Sequence, residues 1–228
     1  MKAKNIIIIP ARGGSKRFPG KNMALLDGIP LISHSINYAK ANSEIIDEIV
    51  VSTDDSEIKE ISLLAGVTVI DRPEKLSGDA SSTVSALKHV LENMKANFNN
   101  VILLQPTNPL RPSSLLKDAY LQYVSGNYDS LMSVTKTRQK LGKIINNRFL
   151  PFNYEIGQRS QDLDPLYYEN GLLYITKTSL IMEERILGEN NLPFIIEHPF
   201  GNIDIDYKED LDLAEFYFMQ EKKRGGKK

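Results

Sequence analysis

The pattern of apolar and polar positions along the chain is that of short strands alternating with helices. Four consecutive isoleucines, Ile6 to Ile9, make a β-branched run suited to a strand buried on both faces. Leu25-Leu26 followed by Asp27-Gly28 reads as a short extended piece and a turn. Pro30 stands where a first helical turn tolerates proline, and Leu31-Ile32, Ile36 and Ala39 recur at helical spacing. Glu48 to Ser52 is the second predicted strand, Thr53-Asp54-Asp55-Ser56 caps a helix near Ile58 to Ala65, and Val67 to Ile70 is a third strand. This β-loop-α-β-α-β order predicts a parallel sheet with helices on both faces, a three-layer α/β fold.

The second half continues the pattern and then loses it. Val101 to Leu104 and Ser130 to Thr135 read as strands around a helix from Leu115 to Val124. From Lys136 to Glu169 the periodicity weakens, apart from a hairpin predicted about Asn146-Asn147. So long a stretch without a core pattern is either disordered or a functional excursion. Leu172 to Thr176 and Phe194 to Glu197 return as strands, with Phe194 a core residue or a wall of a binding site. Ile203-Asp204-Ile205-Asp206 alternates, which as a strand puts both isoleucines on one side and both carboxylates on the other. Leu211, Leu213, Ala214, Phe216 and Phe218 form a last helix, and Lys222 to Lys228 is expected to be a disordered basic tail.

Composition narrows the classes. The 228 residues, 41% of them hydrophobic, suffice for one sizeable domain. A net charge of −1 gives no bulk attraction to nucleic acid or a membrane surface, and the absence of cysteine excludes disulfides and thiolate chemistry. Ile6 to Ile9 is too short for a membrane span or a signal segment, so a cytoplasmic location is expected. His34, His89 and His198 show no metal-ligand spacing.

The chemistry gathers where the first strand ends. Pro10 stops the ladder, Gly13-Gly14 loosens the backbone, and Arg12, Lys16, Arg17 and Lys21 arrive within ten residues. A strand that empties into a glycine-rich basic loop is built to hold anions. Spacing excludes the P-loop, because five residues separate Gly14 from Gly20 and Asn22 follows Lys21. Adjacent glycines exclude the dinucleotide-binding fingerprint. Asp204 and Asp206, about 7 Å apart on one strand face, can share a hard cation, although Asp206 with Glu209 also fits a helix-capping box.

The loop Pro10-Ala11-Arg12, Ser15-Lys16-Arg17, Pro19-Gly20-Lys21-Asn22 resembles the signature of the CMP-sialate synthetases, the acylneuraminate cytidylyltransferases. Four further stretches resemble the same family in order: Arg72-Pro73 through Ser81-Ser82-Thr83, Gln105 to Arg111, Asn170-Gly171 with Tyr174, and Ile203 to Asp206. The resemblance implies a nucleotide-diphospho-sugar-transferase-like fold and transfer of CMP from CTP to a nonulosonic acid, with release of pyrophosphate. The sugar would be N-acetylneuraminate, legionaminate or pseudaminate, activated for glycan synthesis. It implies nucleotide contacts from Ala11, Arg12, Gly13, Ser15, Lys16, Lys21, Asn22, Arg72, Ser82 and Thr83, and sugar contacts from Gln105, Lys143, Arg159, Asn170, Gly171 and Tyr174. Arg12, Lys21 and Asp206 would be catalytic, with Asp204 and Asp206 holding Mg²⁺. The 136–169 segment would project and pack against a second subunit of a homodimer, carrying Lys143 and Arg159 to the partner's sugar.

Two readings of other classes stay open. Asp204-x-Asp206 is formally the D-x-D metal motif of a glycosyltransferase, and a non-catalytic nucleotide-binding paralogue would keep the loop without turnover. For Ser81-Ser82-Thr83, helix capping alone is a sufficient explanation.

Overall fold

The computed structural model describes residues 4–78 and 81–225; Asp79 and the end of the basic tail lie outside them. The strands are β1 (Asn5–Pro10), β2 (Leu25–Leu26), β3 (Ile29–Pro30), β4 (Glu48–Thr53), β5 (Thr68–Asp71), β6 (Asn100–Leu103), β7 (Ser130–Thr137), β8 (Gly142–Ile145), β9 (Arg148–Pro151), β10 (Leu166–Lys177) and β11 (Asn191–Ile195). The helices are α1 (Leu31–Lys40), α2 (Ser56–Leu64), α3 (Thr83–Asn93), α4 (Leu115–Ser125), α5 (Thr178–Met182) and α6 (Lys208–Gly225). Seven strands form one sheet in the order β11-β7-β10-β6-β1-β4-β5. All run one way except β10, which is antiparallel to both neighbours.

β1 sits inside this sheet, paired to β4 and β6, and its isoleucines fill both faces. Ile7 and Ile9 pack with Ile32, Ile36 and Ile58, while Ile6 and Ile8 pack with Leu87, Val90 and Tyr174. All four isoleucines are fully buried, each such side chain stabilising the fold by about 1.5–3 kcal/mol. The mostly parallel sheet between helical layers is therefore the predicted α/β architecture, with the first strand in its interior.

A third, smaller cluster brings the end of the chain to the opening loop. Leu26, Leu31, Leu110, Ile203, Ile205 and Ala214 pack together, with Phe18 and Phe218 against them. Here the structure corrects two expectations. Ile203–Asp206 is not a strand: Ile205 N–H donates to Thr107 O (2.8 Å), but no ladder forms, because α6 rather than a neighbouring strand covers it. The alternation still holds in the extended backbone, with both isoleucines buried, Asp204 exposed and Asp206 half-buried. The helix start is capped by Asp210, not Glu209, its Oδ2 accepting from the N–H groups of Asp206 (2.9 Å) and Tyr207 (2.7 Å). Of the apolar residues that predict α6, Ala214 is buried and Leu211 and Phe218 partly so, whereas Leu213 and Phe216 are exposed.

The tail is shorter than expected, since α6 continues through Gly225. Lys222 explains part of this: its ammonium donates to Asp27 Oδ2 at 2.5 Å and lies 4.9 Å from the Phe218 ring centroid. The excursion is also shorter. β7 and β10 stay paired out to Thr137 and Leu166, so the ladder claims both ends of the predicted segment. Beyond them β8 and β9 form the expected hairpin, with Asn146 and Asn147 at positive φ (50° and 59°), as a type I′ turn requires. Ile144, Ile145, Phe149 and Phe152 on it are exposed.

Candidate active site

The loops after β1, β5 and β6 enclose a cavity of about 240 Å³ at the carboxyl ends of the parallel strands, where open α/β sheets take ligands. Its lining includes Arg12, Ser15, Lys21, Asn22, Arg72, Ser81, Ser82, Thr83, Gln105 and Thr107. Residues from three separate stretches of the sequence thus meet around one opening.

The opening loop is held at its ends and open in between. Ala11 N–H donates to Ser52 O at 2.9 Å, prolonging the β1–β4 pairing by one residue. Asn22, nearly buried, donates its amide to Arg12 O at 2.8 Å and so closes the loop across its base. Gly20 takes positive φ (68°), a conformation that favours glycine, immediately before Lys21. Arg12 reaches Ser77 O at 3.3 Å. Gly13 does not present its amide to the cavity, because its N–H donates to Asp54 Oδ1 at 2.9 Å. A Cβ there would also stand 2.6 Å from the Asp55 carboxylate, so glycine is required for close approach.

Arg72 enters from the strand beyond. It is buried, donating from Nη2 to Ser52 O (2.6 Å) and from Nε to Ser52 Oγ (3.1 Å). Burial lowers its pKa to about 10, opposed by the nearby Asp54 and reinforced by Arg12, so it remains charged at neutral pH. Ser82 caps α3, its Oγ accepting from Ser85 N–H (3.2 Å), and Ser81 Oγ donates to Lys75 O (3.1 Å). Capping is therefore real here, and Ser81, Ser82 and Thr83 line the cavity as well.

The loop after β6 is pinned from beneath. Arg111, buried, donates to Leu172 O (2.7 Å), Ser35 Oγ (3.1 Å) and Gln105 O (2.8 Å). Asn108, also buried, donates to Asn170 O (3.0 Å) and Ile203 O (2.8 Å). One side chain thus ties the loop after β6, the bulge of β10 and the segment before Asp204 into a single unit. Gly171 makes the approach possible: it has φ 73°, and a Cβ there would lie 2.6 Å from Asn108 Oδ1.

Asp204 and Asp206 stand at the edge of this unit. Desolvation, less a hydrogen bond from Thr107, and the neighbouring Asp206 charge raise the Asp204 carboxyl above the ordinary range. For Asp206 desolvation also acts upward, but the hydrogen bond and charge of Lys21, with Arg17, outweigh it and hold the group below that range. Lys21 Nζ donates to Asp206 Oδ1 at 2.8 Å and Arg17 Nη1 to Oδ2 at 2.6 Å. Two neighbouring carboxylates are ligands that a hard divalent ion takes together with phosphate oxygens. Among the described residues no cluster of three His, Asp or Glu side chains forms a metal cage, so such an ion would complete its shell with phosphate oxygens and water.

Several predicted residues lie elsewhere. Ala11 is buried at the end of β1, and Lys16 is exposed on the loop outside the lining. Asn170 turns inward: its Oδ1 accepts from Ser133 Oγ (2.5 Å) and Leu172 N–H (3.1 Å), and its amide donates to Thr135 Oγ1 (2.9 Å). Gly171 packs on Asn108, so both members of that pair support the cleft from behind. Tyr174 is buried in the core, and its hydroxyl donates to Glu169. Phe194 is partly buried against the core. Lys143 and Arg159 lie in the projecting segment; Lys143 is 5.9 Å from the Phe152 ring centroid and Arg159 pairs with Asp162 at 2.8 Å.

Sequence reasoning assigned no site role to Asp54 or Asn108, and it placed Arg17 and Arg111 in their loops without their partners. For Asn108 and Arg111 a signal existed, since both lie in a loop with three prolines directly after a predicted strand. For the pairing of Arg17 with Asp206 there was none, because 189 residues separate them.

Comparison with known proteins supplies the family. A cytidylyltransferase family model matches residues 6–215. A pseudaminic acid cytidylyltransferase of Campylobacter jejuni is 34% identical over 225 residues, covering 94% of this chain and 96% of that one. An N-acylneuraminate cytidylyltransferase of Streptococcus agalactiae is also 34% identical, over 91% of this chain, which spans about half (52%) of that longer relative. In structure, the CMP:2-keto-3-deoxy-manno-octonic acid synthetase complexed with CTP superposes with a TM-score of 0.72, covering 96% of this chain and 100% of that one, at 18% identity. With the fold shared and the opening loop, the Gln105–Arg111 loop and the Asp204–Asp206 pair converging on one cleft, the chain belongs to the cytidylyltransferases of the CMP-sialate synthetase family.

Proposed function

We propose that this protein activates a nonulosonic acid with CTP, giving the CMP-sugar and pyrophosphate. The observation that carries the reading is the meeting of Arg12 and Lys21 around a cavity at the carboxyl ends of parallel strands, with Asp206 joined to Lys21 at its edge. The anomeric hydroxyl of the acid attacks the α-phosphorus in line, and pyrophosphate leaves. Such a transfer asks for positioning and charge neutralisation rather than a covalent intermediate.

Arg12, Ser15, Lys16 and Lys21 offset the triphosphate, Arg12 and Lys21 acting on charge that grows on the departing pyrophosphate. Ala11 and Gly13 shape the loop, and Asn22 fixes its base. Arg72, Ser82 and Thr83 receive the cytidine at the far end of the cavity. Asp204 and Asp206 hold Mg²⁺, which supplies Lewis-acid neutralisation of phosphate oxygens. Gln105 faces the sugar acid, with Tyr174, Asn170 and Gly171 setting the wall behind it.

The exposed apolar face of the β8–β9 hairpin supports a homodimer in which Lys143 and Arg159 approach the partner's sugar. Among the described residues no helix is long and apolar enough to cross a membrane, which accords with a cytoplasmic enzyme. A pyrophosphate-release assay with CTP, Mg²⁺ and each of N-acetylneuraminate, legionaminate and pseudaminate tests the reading. Release with at least one acid is expected; tight CTP binding without release from any of the three would favour a non-catalytic nucleotide-binding protein instead.

A further inference from the structure

Arg17 has no task in the reaction as described, yet the structure gives it a definite place. Its guanidinium donates to Asp206 Oδ2 at 2.6 Å while Lys21 donates to Oδ1 at 2.8 Å, so both oxygens of that carboxylate are engaged by cations of the opening loop. The guanidinium carbon also lies 5.7 Å from the Tyr207 ring centroid. The two cations differ in enclosure: the Lys21 side chain is 11% exposed, that of Arg17 59%. Lys21 is built into the cavity wall, whereas Arg17 reaches across from outside it.

This arrangement has a preference built into its charges. Two cations on one carboxylate repel an approaching divalent ion and attract a polyphosphate. The Arg17 pair is exposed and therefore weak, while a guanidinium meets phosphate oxygens through two parallel hydrogen bonds that a lone carboxylate oxygen does not match. The backbone from Gly13 to Gly20 carries no strand or helix that would resist a small movement.

We propose that Arg17 is a further phosphate-binding residue of this site, resting on Asp206 until a nucleoside triphosphate draws it away, and that its departure opens Asp206 to the metal ion. Metal and nucleotide then enter as a coupled pair rather than independently. The inference rests on the nucleotidyl-transfer reading and adds to it an order of assembly.

The test measures two affinities of the full chain separately. Mn²⁺ binding without nucleotide is followed by electron paramagnetic resonance, and CTP binding in EDTA by calorimetry, for wild type, Arg17→Ala and Arg17→Lys. Removing Arg17 should tighten Mn²⁺ binding and weaken CTP binding, each by roughly threefold or more, with Arg17→Lys between. The opposite signs are the signature. Mn²⁺ affinity that is unchanged or weaker in Arg17→Ala would overturn the proposal, because Asp206 would then have been open already or merely propped by Arg17. Unchanged CTP affinity would overturn it too. A variant that lost structure would lose both affinities and so also count against it. If wild type releases pyrophosphate while neither constant moves, this inference fails alone; if wild type neither binds CTP nor releases pyrophosphate, the functional reading fails first.

Discussion

Two loops leave the carboxyl ends of neighbouring parallel strands, β1 and β6, and they are made in opposite ways. The loop after β1 has three glycines among residues 13–20, and two of its cations, the enclosed Lys21 and the exposed Arg17, meet on the Asp206 carboxylate. The loop after β6 has three prolines between Pro106 and Pro112 and is fastened from below by Asn108 and Arg111, both buried. One side of the cleft can follow a ligand, and the other is a fixed wall. A transfer between a flexible triphosphate and a rigid sugar acid needs both, since charge must be gathered by groups that move while the reacting hydroxyl is held still.

If that contrast is correct, damage to the wall should appear as lost stability and damage to the open loop as lost turnover. The largest effect is expected for Arg111→Ala. It removes three hydrogen bonds from the interior and leaves Leu172 O, Ser35 Oγ and Gln105 O without their donor, at a cost of about 3 kcal/mol or more. Urea unfolding measures it, and a loss below about 1 kcal/mol would break the contrast.

Gly171→Ala follows, at roughly 2 kcal/mol, since the new methyl both meets Asn108 and strains a φ of 73°. The Asn108 bonds to Asn170 O and Ile203 O should loosen with it, so turnover falls along with stability. On the open side, Lys21→Ala should lower turnover at least tenfold, about 1.4 kcal/mol, with an unfolding midpoint close to wild type. Normal kinetics in that variant would remove the phosphate loop from the account.

The smallest effect is a pH dependence. The cations beside Asp206 hold its pKa below the ordinary carboxylate value, so its ion pairs stabilise the fold above about pH 4 and that contribution is lost as the pH falls through the lowered pKa. Asp206→Asn should therefore be slightly less stable than wild type at neutral pH, by under about 1 kcal/mol for so exposed a group. The difference should shrink as the pH falls below about 4 and vanish once the lowered pKa is passed. Thermal melts across that range check the sign.

Much of this was legible in the sequence because it is local. The four-isoleucine run, the helix spacing after Pro30 and the Asn146-Asn147 turn each specify their own structure within a few residues. What was not legible depends on partners far along the chain. Ile203–Asp206 has the alternation of a strand, yet a strand needs a neighbour, and α6 occupies that position instead. Asn170 shows the family pattern, but whether its amide faces a ligand or Ser133 and Thr135 depends on the bulge in β10. The tail composition suggested disorder, and the contact of Lys222 with Asp27 extends the helix into it.

The account stands on Asp204 and Asp206 acting together across from the cations of the opening loop. Pyrophosphate release from CTP, measured for Asp204→Ala and Asp206→Ala beside wild type with the best of the three acids, tests this most directly. Both variants should keep their folded circular-dichroism spectrum and lose turnover by about 100-fold or more. Turnover within a few-fold of wild type in either variant would contradict it.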